Sequence, residues 1–196
     1  MSHYFSRSDD ELAKSKPQLI SYSFGKNTYR FVTDTSVFSY GKMDVATDIL
    51  IQNIPPLKGT LLDLGCGYGA LGIVVAKEYG LTLTQADINP RALQLAIENA
   101  DQNGVASTVV DSDAFSRIDD VFNTIAMNPP IHAGKNLIFS MYESAWKHLH
   151  QDSGALYVVI QKKHGAESSI NRIKEIFGNC QSIYKKKGLY VLQAYK

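Results

Sequence analysis

The sequence predicts a doubly wound α/β fold with a mostly parallel sheet, and three observations support this prediction. From residue 60 onward, apolar strand-like segments alternate with helical segments. A glycine-rich turn, DLGCGYGALG, joins the first of these strands to the helix that follows it. Polar residues come directly after several strands, which is where an open parallel sheet binds its ligands.

The elements of the core follow one another in a regular order. The buried strand TLLDLGC leads into the helix ALGIVVAKEYG, which ends at Gly80. The strand LTLTQADI precedes the helix NPRALQLAIENADQNG, with Asn89 as its N-cap and Pro90 in its first turn. STVVDSD, VFNTIAMN and GALYVVIQKK predict three more strands, with helical segments around 134–149 and 165–177. The final segment, SIYKKKGLYVLQAY, predicts an antiparallel hairpin.

The first 59 residues have a different pattern. The strand-like segments QLISYSF and TYRFVTD flank Gly25-Lys26-Asn27, which predicts a β-hairpin. DVATDILIQNI predicts a helix capped by Asp44. Because no linker, repeat or low-complexity tract interrupts the chain, we expect residues 1–196 to form one domain. In this domain, residues 1–59 are a short N-terminal extension and residues 60–196 are the α/β core.

The composition is that of an ordinary globular protein, with 44% hydrophobic and 20% charged residues. The polar start predicts no secretory signal, and no apolar run approaches the roughly 20 residues of a membrane span. Cys66 and Cys180 match no metal-binding spacing, so we expect no metal site. These features predict a protein of the reducing cytoplasm without a membrane partner.

The formal net charge of +1 conceals an asymmetry along the chain. Residues 61–150 carry five Lys/Arg against ten Asp/Glu, whereas residues 151–196 carry eight against three. The basic segment includes Lys162, Lys163 and the run Lys185-Lys186-Lys187. An acidic centre suits a cationic small ligand and a basic flank suits a polyanion, although an uneven solvated surface has the same composition.

The glycine-rich turn contains two overlapping motifs that indicate different cofactors. From Gly65 it is G-x-G-x-G, with Asp63 two residues before the first glycine. From Gly67 it is G-x-G-x-x-G, which is typical of dinucleotide-binding proteins. Asp87 follows the second strand in both interpretations, and a carboxylate there accepts hydrogen bonds from the hydroxyls of any ribose. The glycines alone therefore leave the cofactor open.

The acidic residues favour S-adenosylmethionine. In the dinucleotide interpretation Asp63 is an unpaired carboxylate inside a buried strand, which is costly. In the other interpretation it lies beside the cofactor, where it holds an ammonium group directly or through water. Asp113, at the end of the third strand, is placed to accept from an adenine amino group, with the Ala114 backbone nearby. A loop-capping aspartate is the structural alternative at this position.

The fourth core strand ends in a second motif, Asn128-Pro129-Pro130. Two prolines fix the backbone and remove two amide donors, so nearby carbonyl groups remain free to accept. The Asn128 side-chain oxygen and the Pro129 carbonyl then bind both hydrogens of a planar amine. This bends the amine toward tetrahedral geometry and aims its lone pair at a sulfonium methyl group. The motif therefore predicts catalysis of N-methylation, with a simple proline-terminated strand as the alternative.

Because it contains both DLGCGYG and MNPPIHAGK, the chain resembles the Rossmann-like S-adenosylmethionine-dependent methyltransferases. It resembles most closely the small-domain group that includes ribosomal RNA small subunit methyltransferase C, a guanine-N2 enzyme of 16S rRNA. The resemblance covers nearly the whole chain, including HYFS and FVTDTSVFSYGKMD, and it implies a Rossmann-like methyltransferase fold. The cofactor-binding positions that it implies are Phe38, Asp63, Gly65, Cys66, Gly67, Gly69, Asp87, Ile88, Asp113, Ala114 and Asn128.

The substrate side departs from the family pattern. The aromatic residue that stacks on the target base in N-P-P-[FYW] enzymes is Ile131 here, which stacks less strongly. Ser36 replaces a frequent glycine, and we expect no degenerate N-terminal lobe in a chain of this length. We expect Ile131, His132 and Lys135 to bind substrate. His132 removes a proton after transfer or contacts the base or a phosphate, with a polar loop residue as the alternative, and Lys135 contacts a backbone phosphate.

The leading functional prediction is methylation of an exocyclic amine of a nucleic-acid base, most specifically guanine N2 of 16S rRNA. The expected partner is ribosomal RNA or the small ribosomal subunit. One alternative is methylation of a protein glutamine, whose carboxamide presents the same planar amine. Two others are a nicotinamide-dependent oxidoreductase, which leaves N-P-P-I unexplained, and a catalytically silent binding module.

Overall fold

The computed structural model describes residues 15–130 and 134–196 and confirms the predicted α/β fold. The strands are β1 (Gln18–Phe24), β2 (Asn27–Thr33), β3 (Thr60–Leu64), β4 (Thr82–Asp87), β5 (Ser107–Asp111), β6 (Thr124–Met127), β7 (Ala155–Gln161), β8 (Gln181–Lys186) and β9 (Leu189–Tyr195). The helices are α1 (Val45–Asn53), α2 (Ala70–Tyr79), α3 (Pro90–Gln102), α4 (Lys135–Lys147) and α5 (Ala166–Phe177). These bounds agree with the predicted segments to within a few residues.

The main sheet has seven strands in the order β5-β4-β3-β6-β7-β9-β8. The first five in this order are parallel, and β9 runs antiparallel to both β7 and β8. The chain moves outward from β3 to β5 and then returns to place β6 on the other side of β3. The strand order therefore reverses between β3 and β6, and ligands of open α/β sheets bind at the carboxyl ends of the strands beside such a point.

Helices cover both faces of the sheet, because the strands alternate their side chains between two apolar clusters. On β3, Leu61 belongs to the cluster that contains Leu50 of α1 and Ile73 of α2. The neighbouring Leu62 belongs to the opposite cluster, which contains Tyr142 of α4. This burial on both faces explains why the parallel strands are apolar almost throughout.

The N-terminal hairpin packs against α3 through amide side chains. The backbone N–H of Val32 donates to Asn99 Oδ1 at 2.7 Å, and that of Arg30 donates to Asn103 Oδ1 at 3.1 Å. Beyond β2, buried Asp34 pairs with Arg91 at 2.9 Å. None of the helices within the described ranges is long and apolar enough to cross a membrane.

Candidate active site

The glycine-rich turn joins β3 to α2 and is tied to the neighbouring strand. The N–H groups of Gly65 and Cys66 both donate to the carbonyl of Ala86 in β4, at 2.8 and 3.0 Å. Gly69 has a φ of 90°, and an added Cβ would lie 2.5 Å from Gln85 Oε1. Gly65 is exposed, and a Cβ there would meet no atom within 4 Å. The turn is therefore packed tightly at Gly69 and open at Gly65, which suits a bound ligand.

Asp63 is only 1% exposed, and its Oδ2 accepts from the Gly72 N–H of α2 at 2.8 Å. The cost of an unpaired buried carboxylate, which counted against the dinucleotide interpretation, therefore does not arise, because the first turn of α2 supplies a donor. Burial raises the pKa of Asp63 to about 7, although the Gly72 hydrogen bond lowers it. Its contact with a cofactor ammonium group stays a prediction.

Asp87 ends β4 and organises the backbone of two loops. Its Oδ2 accepts from the Gly67 N–H at 2.8 Å, and its Oδ1 accepts from the Asn89 N–H at 2.9 Å. Burial raises the pKa of Asp87, and the hydrogen bonds from the Asn89 and Gly67 amides oppose this shift. Each carboxylate oxygen has further acceptor capacity, so ribose hydroxyls have acceptors here. Half-buried Ile88 separates Asp87 from the α3 N-cap Asn89.

Asp113 lies two residues beyond β5 and is exposed. Its backbone N–H donates to Ser116 Oγ at 3.2 Å, and its carbonyl accepts from the Ser116 N–H at 3.0 Å. Ala114, in the same turn, has a φ of 48°. The backbone of Asp113 therefore stabilises the turn. Within the described residues no group hydrogen-bonds its carboxylate, which is available to a ligand.

The loop between β2 and α1 lies beside the glycine-rich turn. The carbonyl of Ser36 accepts from Asn89 Nδ2 at 3.0 Å, and buried Val37 lies 4.0 Å from the position of a Cβ on Gly67. Phe38 follows with 62% of its surface exposed. The loop therefore presents an aromatic ring to solvent from a well-anchored backbone.

Asn128, the first residue after β6, is held in one orientation. Its Nδ2 donates to Asp44 Oδ2 and to Thr47 Oγ1, both at 3.0 Å. Asp44 is also the N-cap of α1, since its Oδ2 accepts from the Thr47 N–H at 2.8 Å. Within residues 15–130 and 134–196, no group donates to Asn128 Oδ1, so this oxygen is available to a substrate donor.

A shallow open cleft adjoins Asn128 on the β7 side of the strand ends. Its lining residues come from the β2–α1 loop, α1, the ends of β6 and β7, α4 and the turn after β7. They are Phe38, Asp44, Ala46, Asn128, Pro129, Ile138, Val159, Ile160, Gln161 and His164. Asp87 and Asp113 follow strands on the other side of β3, so Asn128 lies between the predicted cofactor groups and this cleft.

The remaining predicted residues divide into two groups. Ile131 and His132 lie outside the described residues. Pro129 is buried and Pro130 is exposed, and Lys135 is exposed as the first residue of α4. The Lys135 Cε lies 3.8 Å from the position of a Cβ on Gly165, so this lysine adjoins the turn after β7.

The two lysine groups of the C-terminal segment are brought together at the sheet edge. The backbone N–H of Lys162 donates to the carbonyl of Gly188 at 2.7 Å, which joins the turn after β7 to the β8–β9 hairpin. Lys162, Lys163 and the run 185–187 are all exposed. These five lysines, which we call the basic surface, therefore lie at the same end of the sheet as the cleft, with Lys185 and Lys186 on opposite faces of β8.

Sequence analysis missed Thr47, Gln161 and the second role of Asp44. Asp44 was predicted as a helix cap, but its contact with Asn128 bridges 84 positions of the chain. Gln161 ends β7, and the strand-end rule that identified Asp87 applies to it equally. Thr47 carries no local signal in the sequence.

Comparisons with known proteins identify relatives of the whole fold. The chain is 38% identical over 200 residues to "Uncharacterized protein YbxB" of Bacillus subtilis, covering 99% of this chain and 98% of that protein. It is 38% identical over 128 residues to ribosomal RNA small subunit methyltransferase C of Aeromonas hydrophila, covering 63% of this chain and 37% of that protein. It is 30% identical over 180 residues to the protein of the same name from Aliivibrio salmonicida, covering 88% of this chain and 51% of that protein. The chain thus spans about half or less of these rRNA methyltransferases.

A solved structure shares the fold. T. thermophilus RsmC, a 16S rRNA N2 methyltransferase in complex with AdoMet and guanosine, matches with a TM-score of 0.79 and 23% identity. The match covers 92% of this chain and 50% of the other.

The model of the family named Methyltransferase small domain matches residues 28–193. This match bears out the predicted resemblance and removes the basis for a nicotinamide-dependent oxidoreductase. The chain therefore belongs to the methyltransferase small domain family, whose methyl donor is S-adenosylmethionine.

Proposed function

We propose that this protein transfers a methyl group from S-adenosylmethionine to the exocyclic amine of a nucleic-acid base, namely guanine N2 in ribosomal RNA of the small subunit. The orientation of Asn128 carries this proposal. Because Asp44 and Thr47 accept from Nδ2, the amide presents Oδ1 to its surroundings. An acceptor held in this way binds an amine hydrogen and strengthens that contact as the nitrogen becomes tetrahedral.

The residues of this chain position the reactants and leave the methyl donor to supply the electrophile. The Asp87 carboxylate would hold the ribose of the cofactor, Asp63 and the glycine-rich turn would hold its methionine end, and Asp113 would accept from its adenine. Asn128 Oδ1 and the Pro129 carbonyl would hold the target amine, and the cofactor would supply the electrophilic methyl group. Placement of two reactants in this way accounts for a large part of the rate of such a displacement.

The basic surface favours RNA over a protein substrate. Five exposed lysines, at positions 162, 163 and 185–187, lie beside the cleft, where they neutralise phosphates near a bound nucleotide. A glutamine side chain of a protein would fit Asn128 equally well but would have no need of these charges. The proposal places the protein with ribosomes in the cytoplasm.

The test is single-turnover transfer of a labelled methyl group to rRNA, or to small ribosomal subunits, from cells that lack the protein. Nucleoside mass spectrometry then identifies the product, which we expect to be N2-methylguanosine. Asn128→Ala should keep most of its cofactor affinity and lose about 10²–10³-fold in turnover. Asn136→Ala, which replaces an exposed asparagine of α4, is the matched control.

Two results would contradict the proposal. Near-normal transfer by Asn128→Ala would show that the N-P-P segment is only a structural turn. Labelling of a protein substrate, with no label in RNA from active wild-type enzyme, would favour glutamine methylation instead.

A further inference from the structure

Gln161 lines the same cleft as Asn128 and has no role in the proposed methyl transfer. Gln161 is the last residue of β7 and is half-buried. It precedes a single 3₁₀ turn, Lys162–His164, but its side chain does not cap that turn. Within the described ranges, its carboxamide makes no hydrogen bond. A half-buried amide that lines a cleft without a partner is available to recognise a ligand.

The register of the sheet places Gln161 beyond Asn128 on the same face. Met127 of β6 pairs with Val158 of β7, so Asn128 falls opposite Val159. Gln161 is two residues further along, which is roughly 6.5 Å along the strand. Side chains two residues apart share a face of a sheet, and Val159 and Gln161 both line the cleft. Asn128 and Gln161 thus lie side by side along the cleft.

The backbone of Gln161 is fixed by the last strand of the sheet. Gln161 pairs with Leu189 of β9, and the next N–H, that of Lys162, donates to the Gly188 carbonyl at 2.7 Å. A recognition group needs such support, because a loosely held side chain loses specificity.

We propose that the Gln161 carboxamide hydrogen-bonds the edge of the target purine next to the amine that Asn128 holds, and thereby selects guanine. This proposal rests on the proposed function. Beside its amine, guanine presents a ring N–H donor and then a carbonyl acceptor. A carboxamide offers one acceptor and two donors, so its oxygen accepts from the ring N–H while its nitrogen donates to the carbonyl. An amide on each side thus recognises the whole edge of the base.

Three nucleosides separate the contributions of the two amides. Guanosine has the full edge, 2-aminopurine riboside keeps the amine but lacks the ring N–H and the carbonyl, and inosine lacks only the amine. Their binding is measured by calorimetry on the protein saturated with S-adenosylhomocysteine. We expect wild type to bind guanosine more tightly than either analogue.

The variants should each remove one of these preferences. Gln161→Met, of similar volume, should lose about tenfold in guanosine affinity and little in 2-aminopurine riboside affinity. Asn128→Ala should instead remove the preference for guanosine over inosine. Gln181→Met, in which an exposed glutamine of β8 is replaced, should match wild type. Gln161→Glu keeps an acceptor but sets a charge against the guanine carbonyl, so it too should bind guanosine more weakly.

The outcomes distinguish this proposal from the proposed function. If Gln161→Met and Gln161→Glu keep the wild-type preference for guanosine over 2-aminopurine riboside, Gln161 does not recognise the base. A loss of S-adenosylhomocysteine affinity in Gln161→Met would also overturn the proposal, because it would place Gln161 on the cofactor side. If wild type does not prefer guanosine to inosine, the proposed hold on the amine is itself wrong.

Discussion

At Asn128, the two ends of one side-chain amide have different surroundings. The nitrogen contacts Asp44 and Thr47, and the oxygen has no partner among the described residues. A carboxamide rotated by 180° would present hydrogens to an amine that also carries hydrogens, and it would repel that amine. The two acceptors at the start of α1 therefore decide which end of the amide is available to the proposed substrate.

Replacement of Thr47 tests this orientation. Thr47→Val keeps the shape of the side chain but removes an acceptor for Asn128 Nδ2. We expect turnover to fall about tenfold, as for the loss of one hydrogen bond, with unchanged cofactor affinity. Thr47→Ser restores the hydroxyl and should recover activity in the single-turnover assay. Equal activity of the valine and serine variants would mean that Asp44 alone orients the amide.

Asp87 offers a test of the cofactor site. Asp87→Ala removes the proposed ribose acceptor as well as the acceptors for the Gly67 and Asn89 amides. We expect S-adenosylmethionine binding to weaken by about 1.5–3 kcal/mol, the usual value for a hydrogen bond to a charged group. Calorimetry on the folded variant measures this, with Asp101→Ala on the surface of α3 as a control. An unchanged affinity would overturn the assignment.

Asp63 should make stability depend on pH. Its pKa in the folded protein is about 7, above the ordinary value of 3.8. The folded state thus binds the proton more tightly, and this contribution to stability is full below pH 3.8 and is lost as the pH rises through 7. The loss is on the order of 4 kcal/mol.

Asp63→Asn removes this ionisation and should flatten the fall in unfolding free energy between about pH 4 and 7. Urea denaturation at a series of pH values measures the slope. The variant loses some stability at every pH, because a buried amide brings donors that need partners, so the slope is the diagnostic quantity. The surface variant Asp101→Asn should keep the wild-type slope. A wild-type slope in Asp63→Asn would mean that Asp63 titrates normally in the folded protein.

At the scale of the elements, the β8–β9 hairpin carries much of the basic surface. Lys187 and Gly188 form its two-residue turn, with φ angles of 51° and 76°, as hairpin turns with two left-handed residues require. The Lys162 N–H contacts this turn through the Gly188 carbonyl. The hairpin thus holds its lysines at a fixed place beside the cleft.

Replacement of Lys185, Lys186 and Lys187 by glutamine keeps most of each side chain but removes three charges. We expect weaker RNA binding and a flatter dependence on salt, by roughly 0.7–0.9 units of log–log slope for each phosphate that the variant no longer neutralises. Fluorescence anisotropy with rRNA across a salt series measures both quantities. The matched control replaces the exposed lysines Lys26, Lys58 and Lys174, which lie on other parts of the structure. If both triple variants show the same reduction in slope, the hairpin is not a specific RNA-binding element.

At the scale of the whole molecule, the proposed cofactor site is assembled from parts of the chain that unfolding separates. The glycine-rich turn follows β3, Asp87 ends β4 and Asp113 lies two residues beyond β5, and these three strands are neighbours in the sheet. A ligand that binds only this folded arrangement stabilises the protein by mass action.

S-adenosylmethionine should therefore raise the melting temperature, and NADH should not. At a ligand concentration 100 times the Kd, the added stability is about 2.7 kcal/mol. For a chain of this size, this added stability raises the melting temperature by roughly 5–11 °C. Differential scanning fluorimetry with both ligands measures the shift. An increase in melting temperature with NADH alone would contradict the interpretation of the glycine-rich turn as an S-adenosylmethionine site.

The sequence predicted the features that depend on near neighbours. Alternating apolar segments located the strands and helices, and local backbone chemistry identified Asp44 and Asn89 as N-caps, both of which the structure confirms. The strand-end rule located Asp87, Asp113 and Asn128 because the carboxyl ends of parallel strands meet at one edge. Each of these features is determined by residues within a few positions of it in the sequence, through the side-chain periodicity, the backbone dihedral preferences or a capping group.

The tertiary structure decided which distant groups meet. Asp44 and Thr47 contact Asn128 only because α1 packs beside the end of β6, and Gly72 pairs with Asp63 only because α2 folds back on β3. The same holds for the lysines at 162–163 and 185–187, and for Gln161 beside Asn128. Such contacts depend on the strand order and on the packing of helices against both faces of the sheet. A residue's immediate sequence does not encode them, because the partner is chosen by the shape of the entire core.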